Sequence, residues 1–298
     1  MIGLGRMGAN MARRLKGGGV AVVGFDRDAA GRAALEREGI LKAVDSLAGL
    51  VAALEAPRLV WVMLPSGAPT EQTITELRKL LAQGDVLIDG ANGHFTDSQR
   101  HATELAQAGI GFVDVGVSGG VWGLANGYGL MIGGTPADVA RVEPIARILA
   151  PTPTEGWLHC GPAGAGHYVK MVHNGIEYGL MQAYAEGFAL MQAREDLQLD
   201  IAKIAESWRH GTVIRSWLLD LTAEFLKQDA TLTEVAPYVA DSGEGRWTAL
   251  ESIEQGVPTP VMTLALMLRF VSQGKDDFLA KLLAKMRQGF GGHPIKSV

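Results

Sequence analysis

The first half of the chain alternates short apolar runs with longer stretches in which apolar residues recur at helical spacing. Short apolar runs bounded by glycine, proline or acidic residues are typical of buried strands, and the longer stretches are typical of helices. Strands that alternate with helices in this way predict a doubly wound, mostly parallel sheet. The predicted strands are 21–25, 59–64, 86–89 and 111–115, and the predicted helices are 9–15, 29–38, 71–83 and 96–108.

The pattern changes near residues 161–164, and from residue 165 onward it is helical. The stretch 168–194 is apolar and longer than an ordinary globular helix, so it is a candidate core helix for a second domain. We therefore predict an α/β domain over residues 1–163 and an all-α domain, built on the long helix, over residues 164–298. Shorter helices are predicted at 201–208, 217–227, 250–254, 261–274 and 278–287.

Composition narrows the classes of protein to consider. The chain has 298 residues, which suits two domains, and a net charge of -5 gives no electrostatic reason to expect a nucleic-acid partner. A single cysteine, Cys160, excludes an intrachain disulfide and a cysteine-rich metal site, and it favours the cytoplasm. The apolar stretch 261–268 is too short to span a bilayer, so no membrane association is expected.

The N-terminus carries the spacing Gly3-x-Gly5-x-x-Gly8, followed by the first predicted helix. Glycines let a backbone approach a pyrophosphate, and the free amides of a helix N-terminus bind the anion. Asp26, which follows the next strand, is placed to accept a hydrogen bond from a ribose hydroxyl. These features predict a dinucleotide-binding Rossmann domain, with a glycine turn without ligand as the alternative. Only two residues precede Gly3, so we expect a short first strand.

The cofactor preference depends on two neighbouring charges. Asp26 favours NAD because its carboxylate would repel a 2′-phosphate, whereas the guanidinium of Arg27 leaves NADP open. Residues at the ends of strands line the ligand crevice of an open α/β sheet, although ordinary turn chemistry would also explain them. The predicted cofactor site is Gly3, Gly5, Arg6, Met7, Gly8, Asp26, Leu64, Pro65 and Asn92.

Five polar residues stand out in the mostly apolar predicted helix 168–194. Lys170, His173, Asn174, Glu177 and Tyr178 share one helical face. The alternative is an ordinary solvated face, but glycine, methionine and leucine on the other sides indicate a buried helix, where lysine and glutamate need a partner or a task. A neutral lysine can accept the proton of a hydroxyl group during its oxidation, and an acid two turns away can protonate a carbanion-like carbon.

A second loop follows the predicted strand 111–115. Backbone amides of Gly119 and Gly120, with the hydroxyl of Ser118, can hold a carboxylate, although such a sequence is often an ordinary turn.

Together these segments resemble the 6-phosphogluconate dehydrogenase family of the β-hydroxyacid dehydrogenase superfamily. The resemblance rests on segments 2–8, 89–92, 113–120, 170–178 and 245–248. Its most specific element is the run Lys-x-x-His-Asn-x-x-Glu-Tyr, because 3-hydroxyisobutyrate and tartronate-semialdehyde relatives have Lys-x-x-Asn-Asn and lack the Glu-Tyr pair. The chain resembles the short form, which lacks an extra C-terminal helical repeat.

The resemblance implies oxidative decarboxylation of 6-phospho-D-gluconate to D-ribulose 5-phosphate and CO2, with NAD or NADP and without a metal. It implies that Lys170 takes the 3-hydroxyl proton and that Glu177 protonates the enediol left after CO2 departs. Asn92 would lie near the reacting carbons. The residues implied to hold the carboxylate and hydroxyls are Ser118, Gly119, Gly120, His173 and Asn174.

The same resemblance assigns the sugar phosphate to a cluster in the second domain. Tyr178, Arg246, Thr248 and Arg269 would come from one subunit, and Arg287 and His293 from the C-terminal tail of a neighbour. Position 246 is arginine where the pattern often has lysine, which keeps the charge and adds a bidentate fork. This assignment makes the 164–298 domain responsible for substrate binding and oligomerisation, as a homodimer or homotetramer.

Two other classes of protein remain open. A dehydrogenase or reductase for a small non-phosphorylated β-hydroxy acid or an imine would share the glycine turn and Lys170 but would need no phosphate cluster. A non-catalytic NAD-sensing or structural module would have no use for Lys170 and Glu177 on one helical face. Turnover of 6-phosphogluconate with either nucleotide separates the three.

Overall fold

A computed structural model describes residues 1–291 and 294–296. The chain divides into two compact units, an N-terminal unit of Met1–Met171 and a C-terminal unit of Val172–Val298. The division falls inside the long helix rather than at residues 163/164, because the first turns of that helix pack on the sheet. Among the described residues, no helix combines the length and the apolar character needed to cross a membrane.

The N-terminal unit is built on a mostly parallel sheet. A two-stranded piece, β1 (Val23–Gly24) with β2 (Lys42–Ala43), lies beside a five-stranded piece in the order β3-β4-β5-β6-β7. Parallel bridges from Ile2 to Phe25 and to Val62 join the two pieces, so the predicted short first strand is reduced to one residue. The five strands are β3 (Leu59–Val62), β4 (Val86–Asp89), β5 (Gly111–Ser118), β6 (Gly129–Gly134) and β7 (Trp157–Gly161), with β6 antiparallel to β5.

Within the described residues, seven α-helices of this unit precede the long helix in the sequence. Successive side chains of a strand point to opposite faces of the sheet. Trp61 and Ile88 therefore pack in one apolar cluster and Val62 and Leu87 in another, so both faces of the sheet are covered by apolar side chains. The helices that cover them are α1 (Arg6–Gly17), α2 (Ala29–Arg37), α3 (Leu47–Ala52), α4 (Ala68–Leu80), α5 (Phe95–Ala106), α6 (Gly123–Asn126) and α7 (Pro136–Leu149).

Within its described residues, the C-terminal unit has helices as its only regular secondary structure. The long helix α8 (Ala165–Gln192) begins in the N-terminal unit and continues into this one. Its apolar side chains contribute to two small cores, one around Phe188 and Leu219 and one around Tyr178 and Leu266. The remaining helices are α9 (Ile201–Trp208), α10 (Trp217–Gln228), α11 (Glu244–Glu254), α12 (Pro260–Ser272) and α13 (Asp277–Gly291).

The predicted fold class is confirmed, and the differences concern individual elements. Helix α7 is not among the predicted helices, and it contains two prolines, Pro136 and Pro144. Pro136 occupies the first turn, where no amide is needed, and the Thr135 hydroxyl accepts a hydrogen bond from the Asp138 amide at 3.2 Å. Helix α11 begins at Glu244, six residues before the predicted start at 250.

Candidate active site

The glycine turn of the N-terminal unit is close-packed on one side and open on the other. Gly3 has a φ of +86°, and a Cβ added there would collide with the Met63 carbonyl; a Cβ on Gly8 would collide with the Gly3 carbonyl. A Cβ on Gly5 would meet nothing within 4 Å. Helix α1 starts at Arg6 without a side-chain cap, so no capping side chain occupies its first amides. This cradle fits a dinucleotide pyrophosphate.

Asp26 is fixed at the end of β1. One carboxylate oxygen accepts a hydrogen bond from the Leu4 amide at 2.6 Å, and the other accepts one from the Asp28 amide at 2.9 Å. Arg32 donates to the Asp26 carbonyl, and Arg27 is exposed. The carboxylate is therefore tied to the glycine turn, which is the position that a ribose-binding acid requires.

The predicted residues at the strand ends surround the same edge of the sheet. Leu64 is half-buried and would lie 3.0 Å from a Cβ on Gly3, so it borders the turn directly. Pro65 is exposed, and its carbonyl oxygen accepts a hydrogen bond from the Thr70 hydroxyl at 2.9 Å. Asn92 is exposed in the turn after β4. These residues lie where the crevice of an open α/β sheet is expected.

The loop after β5 depends on glycine for its shape. Gly119 has a φ of +125° and Gly120 a φ of +51°, both in the region that disfavours other residues. Ser118 ends the strand and is half-buried. The loop therefore presents backbone amides next to a hydroxyl, as the sequence predicted for a carboxylate site.

Lys170 lies in the second turn of α8 and is 8% exposed. The helix approaches β5 so closely that a Cβ on Gly116 would overlap the Lys170 Cβ and lie 2.9 Å from the Gly166 carbonyl. The carboxylate of Asp114, on the same strand, accepts hydrogen bonds from the amides of Gly164 at 2.7 Å and His167 at 2.8 Å. These contacts fix the start of the helix and with it Lys170.

Further along α8, in the C-terminal unit, the predicted polar residues are more open. His173 Nδ1 lies 3.1 Å from Asn174 Oδ1 and 4.0 Å from Glu177 Oε2, and the His173 and Glu177 side chains are 38% and 41% exposed. The prediction that the rest of this helix is buried is wrong at Ile176 and Leu180, which are exposed. Apolar composition alone does not distinguish a core helix from one with an apolar surface.

Helices α8, α11 and α12 bring Tyr178, Arg246, Thr248 and Arg269 together. Tyr178 is 5% exposed, and its hydroxyl has no hydrogen-bond partner in the part of the chain that the structure describes. The Arg269 guanidinium carbon lies 3.4 Å from the centroid of the Tyr178 ring. Two glycines allow this close packing. A Cβ added to Gly245 would lie 2.5 Å from the Tyr178 ring, and a Cβ added to Gly175 would lie 2.7 Å from Thr248.

The two arginines of this cluster are held by their surroundings. Arg246 donates from Nε to Asp241 at 2.7 Å and stacks 4.5 Å from the centroid of the Phe270 ring. Arg269 donates to the Ala240 carbonyl at 2.8 Å. Two oriented guanidinium groups beside an unpaired hydroxyl form a site suited to a phosphate or another anion.

Two further residues were predicted to reach the phosphate site from a neighbouring subunit. Arg287 lies on α13 and is exposed, and His293 lies outside the described residues. Sequence reasoning missed Asp114, His167 and Asp241, which hold Lys170 and Arg246. An aspartate in the middle of an apolar strand, as at Asp114, is the one signal that could have been recognised. No cluster of metal-ligating side chains occurs within residues 1–291 and 294–296.

Comparison with known proteins identifies the family. Residues 1–157 match the model described as the NAD binding domain of 6-phosphogluconate dehydrogenase, and residues 166–292 match the model of its C-terminal domain. The chain belongs to the 6-phosphogluconate dehydrogenase family. It is 41% identical, over 99% of its length and 97% of the relative's, to the NAD(+)-dependent, decarboxylating 6-phosphogluconate dehydrogenase of Haloferax volcanii.

Members of the 6-phosphogluconate dehydrogenase family differ in length. The NAD(+)-dependent, decarboxylating enzyme of Bacillus subtilis is 37% identical, but this chain spans 62% of its length. The solved Plasmodium falciparum 6-phosphogluconate dehydrogenase superposes with a TM-score of 0.84 at 28% identity, covering 100% of this chain and 65% of that one. Mycobacterium tuberculosis 3-hydroxyisobutyrate dehydrogenase shares the fold, with a TM-score of 0.70 at 23% identity.

Proposed function

We propose that this chain catalyses the oxidative decarboxylation of 6-phospho-D-gluconate to D-ribulose 5-phosphate and CO2, with NAD as the preferred oxidant. The observation that carries the proposal is the cluster of Tyr178, Arg246 and Arg269 with its unpaired buried hydroxyl. A buried donor without a partner costs about 1–3 kcal/mol, so it is expected where a ligand supplies the missing partner. A non-phosphorylated hydroxy acid would need no such cluster.

The dinucleotide would be held by the glycine turn and the strand ends around it. The open cradle at Gly5 would receive the pyrophosphate, and Asp26 would accept from a ribose hydroxyl and disfavour a 2′-phosphate. Arg27, exposed beside it, leaves NADP as an alternative. A nicotinamide bound there supplies the hydride acceptor. The residues proposed to form the site are Gly3, Gly5, Arg6, Met7, Gly8, Asp26, Leu64, Pro65 and Asn92.

The chain's own residues would carry the proton transfers. Lys170, buried against Gly116, would take the proton of the 3-hydroxyl as C3 becomes a ketone. Loss of CO2 from the resulting 3-keto acid leaves an enediol, and Glu177 would deliver a proton to its carbon. Asn92 would lie near the reacting carbons. The carboxylate and hydroxyls would be held by Ser118, Gly119, Gly120, His173 and Asn174.

The phosphate would be bound in the C-terminal unit. Arg246 offers the remaining donors of its guanidinium once Nε is engaged by Asp241. Arg269 stacks on the Tyr178 ring, and Thr248 faces Gly175 on the same helix as Tyr178. We assign cofactor binding to residues 1–163 and substrate binding and oligomerisation to residues 164–298.

A homodimer or homotetramer would complete the site, with Arg287 and His293 reaching it from the neighbour's C-terminal tail. Helix α13 supports an association between copies, because it exposes an apolar surface that is unusual for a monomer. The exposed residues are Phe278, Leu279, Leu282, Leu283 and Met286. The single cysteine, Cys160, suits a role in the reducing cytoplasm.

One assay tests the activity. Purified protein is mixed with 6-phosphogluconate or with 3-hydroxyisobutyrate, and with NAD or NADP, and reduced nicotinamide and released CO2 are measured. We expect both products from 6-phosphogluconate, faster with NAD, and none after Lys170→Met. Lys203→Met, a matched change at an exposed lysine, should leave the rate unchanged. Absence of reduced cofactor with either nucleotide would overturn the proposal.

A further inference from the structure

Four buried polar side chains of the N-terminal unit surround the start of α8. Asp89 is 3% exposed, Ser98 and His167 are each 1% exposed, and Asp114 is 0% exposed. None of them has a role in the reaction proposed above. Burying this many polar groups is unfavourable unless they are well partnered, so their hydrogen bonds indicate what they do.

Asp114 joins the helix of Lys170 to the strand of Ser118. Its two carboxylate oxygens accept hydrogen bonds from the amide of Gly164, just before α8, and from the amide of His167 in the first turn. Hydrogen bonds to a carboxylate are about twice as strong as neutral ones, and a negative charge at a helix N-terminus is favourable. Because Asp114 lies on β5, which ends at Ser118, this carboxylate fixes Lys170 relative to the loop after that strand.

His167 joins the same helix turn to α5. Its Nδ1 lies 2.7 Å from the Ser98 hydroxyl oxygen, and it precedes Lys170 by three residues, so both lie on the same side of α8. The adjacent Tyr168 makes an edge contact with Phe95, at 5.2 Å between ring centroids. Helix α5 begins three residues after Asn92, so this pairing ties the turn of Asn92 to the helix of Lys170.

Asp89 completes the connection from the side of β4. Its Oδ1 accepts a hydrogen bond from the Ala91 amide at 3.0 Å, which shapes the turn that leads to Asn92. Gly93, the residue after Asn92, packs against both His167 and Asp89. A Cβ on Gly93 would be 3.5 Å from His167 Nδ1 and 4.0 Å from Asp89 Oδ2. The turn therefore rests on Asp89 and His167 together.

The electrostatics agree with this packing. Burial raises the pKa of the Asp89 carboxyl, and repulsion by Asp114 acts in the same direction, whereas attraction to His167 and to His101 and the Ala91 hydrogen bond oppose it. His101 Nε2 in turn lies 3.0 Å from Glu71. Of the two histidines that attract the Asp89 carboxylate, His167 is the one on the helix of Lys170.

We propose that His167 is a positioning residue that fixes Lys170 relative to the turn that carries Asn92. Ser98 holds its side chain, Asp114 holds its amide, and Asp89 lies beside it. The inference rests on the proposed function, in which Lys170 is the base. It predicts that loss of the His167 side chain misplaces the reacting groups without removing any group that binds phosphate or pyrophosphate.

The test compares His167→Leu with His167→Asn. Leucine removes the hydrogen bond to Ser98, whereas the asparagine amide can replace Nδ1. Since a misplacement of about 1 Å costs roughly 100-fold in rate, we expect His167→Leu to lower kcat by roughly 10- to 100-fold with KM values within about threefold, and His167→Asn to recover most of kcat. Ser98→Ala should lower kcat in the same direction and add little to His167→Leu.

A matched histidine separates positioning from general stability. His159 Nε2 lies 3.0 Å from the Gly134 carbonyl and 2.9 Å from the Gly161 carbonyl, in the same unit. His159→Leu should lower the melting temperature without changing kcat. An equal effect of His159→Leu and His167→Leu on kcat, or no recovery with His167→Asn, would overturn the inference. If His167→Leu fails to fold, Ser98→Ala decides, and an unchanged kcat in that variant counts against it.

Amide hydrogen exchange provides a readout that does not depend on turnover. Mass spectrometry of peptides covering residues 164–171 should show faster exchange in His167→Leu and near-normal exchange in His167→Asn, in protein without substrate. If the parent protein does not oxidise 6-phosphogluconate, the proposed function fails while exchange still decides whether His167 holds this turn. Unchanged exchange in His167→Leu would overturn the inference even in an active enzyme.

Discussion

Gly116→Ala is the smallest change that should displace Lys170. Gly116 lies on β5 directly against α8, and its φ is outside the left-handed region. An alanine there introduces no backbone strain and no polar group. Any effect of the substitution must therefore come from the added methyl group pressing on the helix that carries Lys170.

The magnitude follows from the contacts of the added carbon. It would overlap the Lys170 Cβ and lie 3.0 Å from Lys170 Cγ and 2.9 Å from the Gly166 carbonyl oxygen. Ordinary contacts between carbon atoms are about 3.5–4.0 Å, so the start of α8 must shift by about 1 Å. Overpacking of this kind costs about 1–3 kcal/mol in stability, and a 1 Å misplacement lowers the rate by roughly 100-fold.

The assay measures kcat and KM for 6-phosphogluconate together with thermal unfolding. We expect kcat to fall by roughly 100-fold while the KM for NAD stays within about twofold. The control is Gly129→Ala on the neighbouring strand, where the added carbon would meet Ser118 Cβ at an ordinary 3.6 Å. A Gly116→Ala enzyme that keeps its kcat would refute the claim that close approach of β5 and α8 positions Lys170.

Two further substitutions test other parts of the molecule. Tyr178→Phe removes the unpaired buried hydroxyl, so it should raise the melting temperature of the substrate-free protein. The same variant should increase the KM for 6-phosphogluconate by roughly 10-fold, which corresponds to about 1.4 kcal/mol. An unchanged KM would exclude this hydroxyl from the phosphate site. Burial raises the pKa of the Asp85 carboxyl, but hydrogen bonds from the Ala82 and Arg58 amides and from the Arg58 guanidinium outweigh burial and lower the pKa overall. The ionised carboxylate therefore stabilises the fold at pH values above the ordinary pKa of about 4. This stabilisation is lost as the pH falls through the lowered pKa of the folded state. Asp85→Asn should cost about 1–3 kcal/mol in urea unfolding near neutral pH and progressively less in acid, with kcat unchanged; a difference that does not shrink in acid would contradict this ionic role.

Much of the candidate site has a recognisable sequence pattern because its residues are close together in the sequence. The glycine turn from Gly3 to Gly8 and the polar face of α8 from Lys170 to Tyr178 are local patterns, and their spacing specifies their geometry. Arg246 and Arg269 came only from the family resemblance, since an isolated arginine has no local signature. The structure adds what orients them: Asp241 and Phe270 for Arg246, and the Tyr178 ring for Arg269.

The sequence could not show which polar residues support the site from within. Asp114 is separated by 50 residues from Gly164 and by 53 from His167, and Ser98 by 69 from His167. Hydrogen bonds over such distances leave no periodicity in the chain. Gly116 likewise has no local sequence feature that marks it out, and only the packing of α8 against it shows why glycine is needed there.

By itself the sequence determined the alternation of strands and helices, the glycine turn and the helical second half, because hydrophobic spacing and glycine content act over a few residues and directly specify local backbone structure. Only the tertiary structure decided where buried charges lie and how they are partnered. Burial is a collective property of the folded chain: Asp114 is fully buried because β5 is central and α8 covers it. The same carboxylate would be solvated, and without a defined partner, in the unfolded chain.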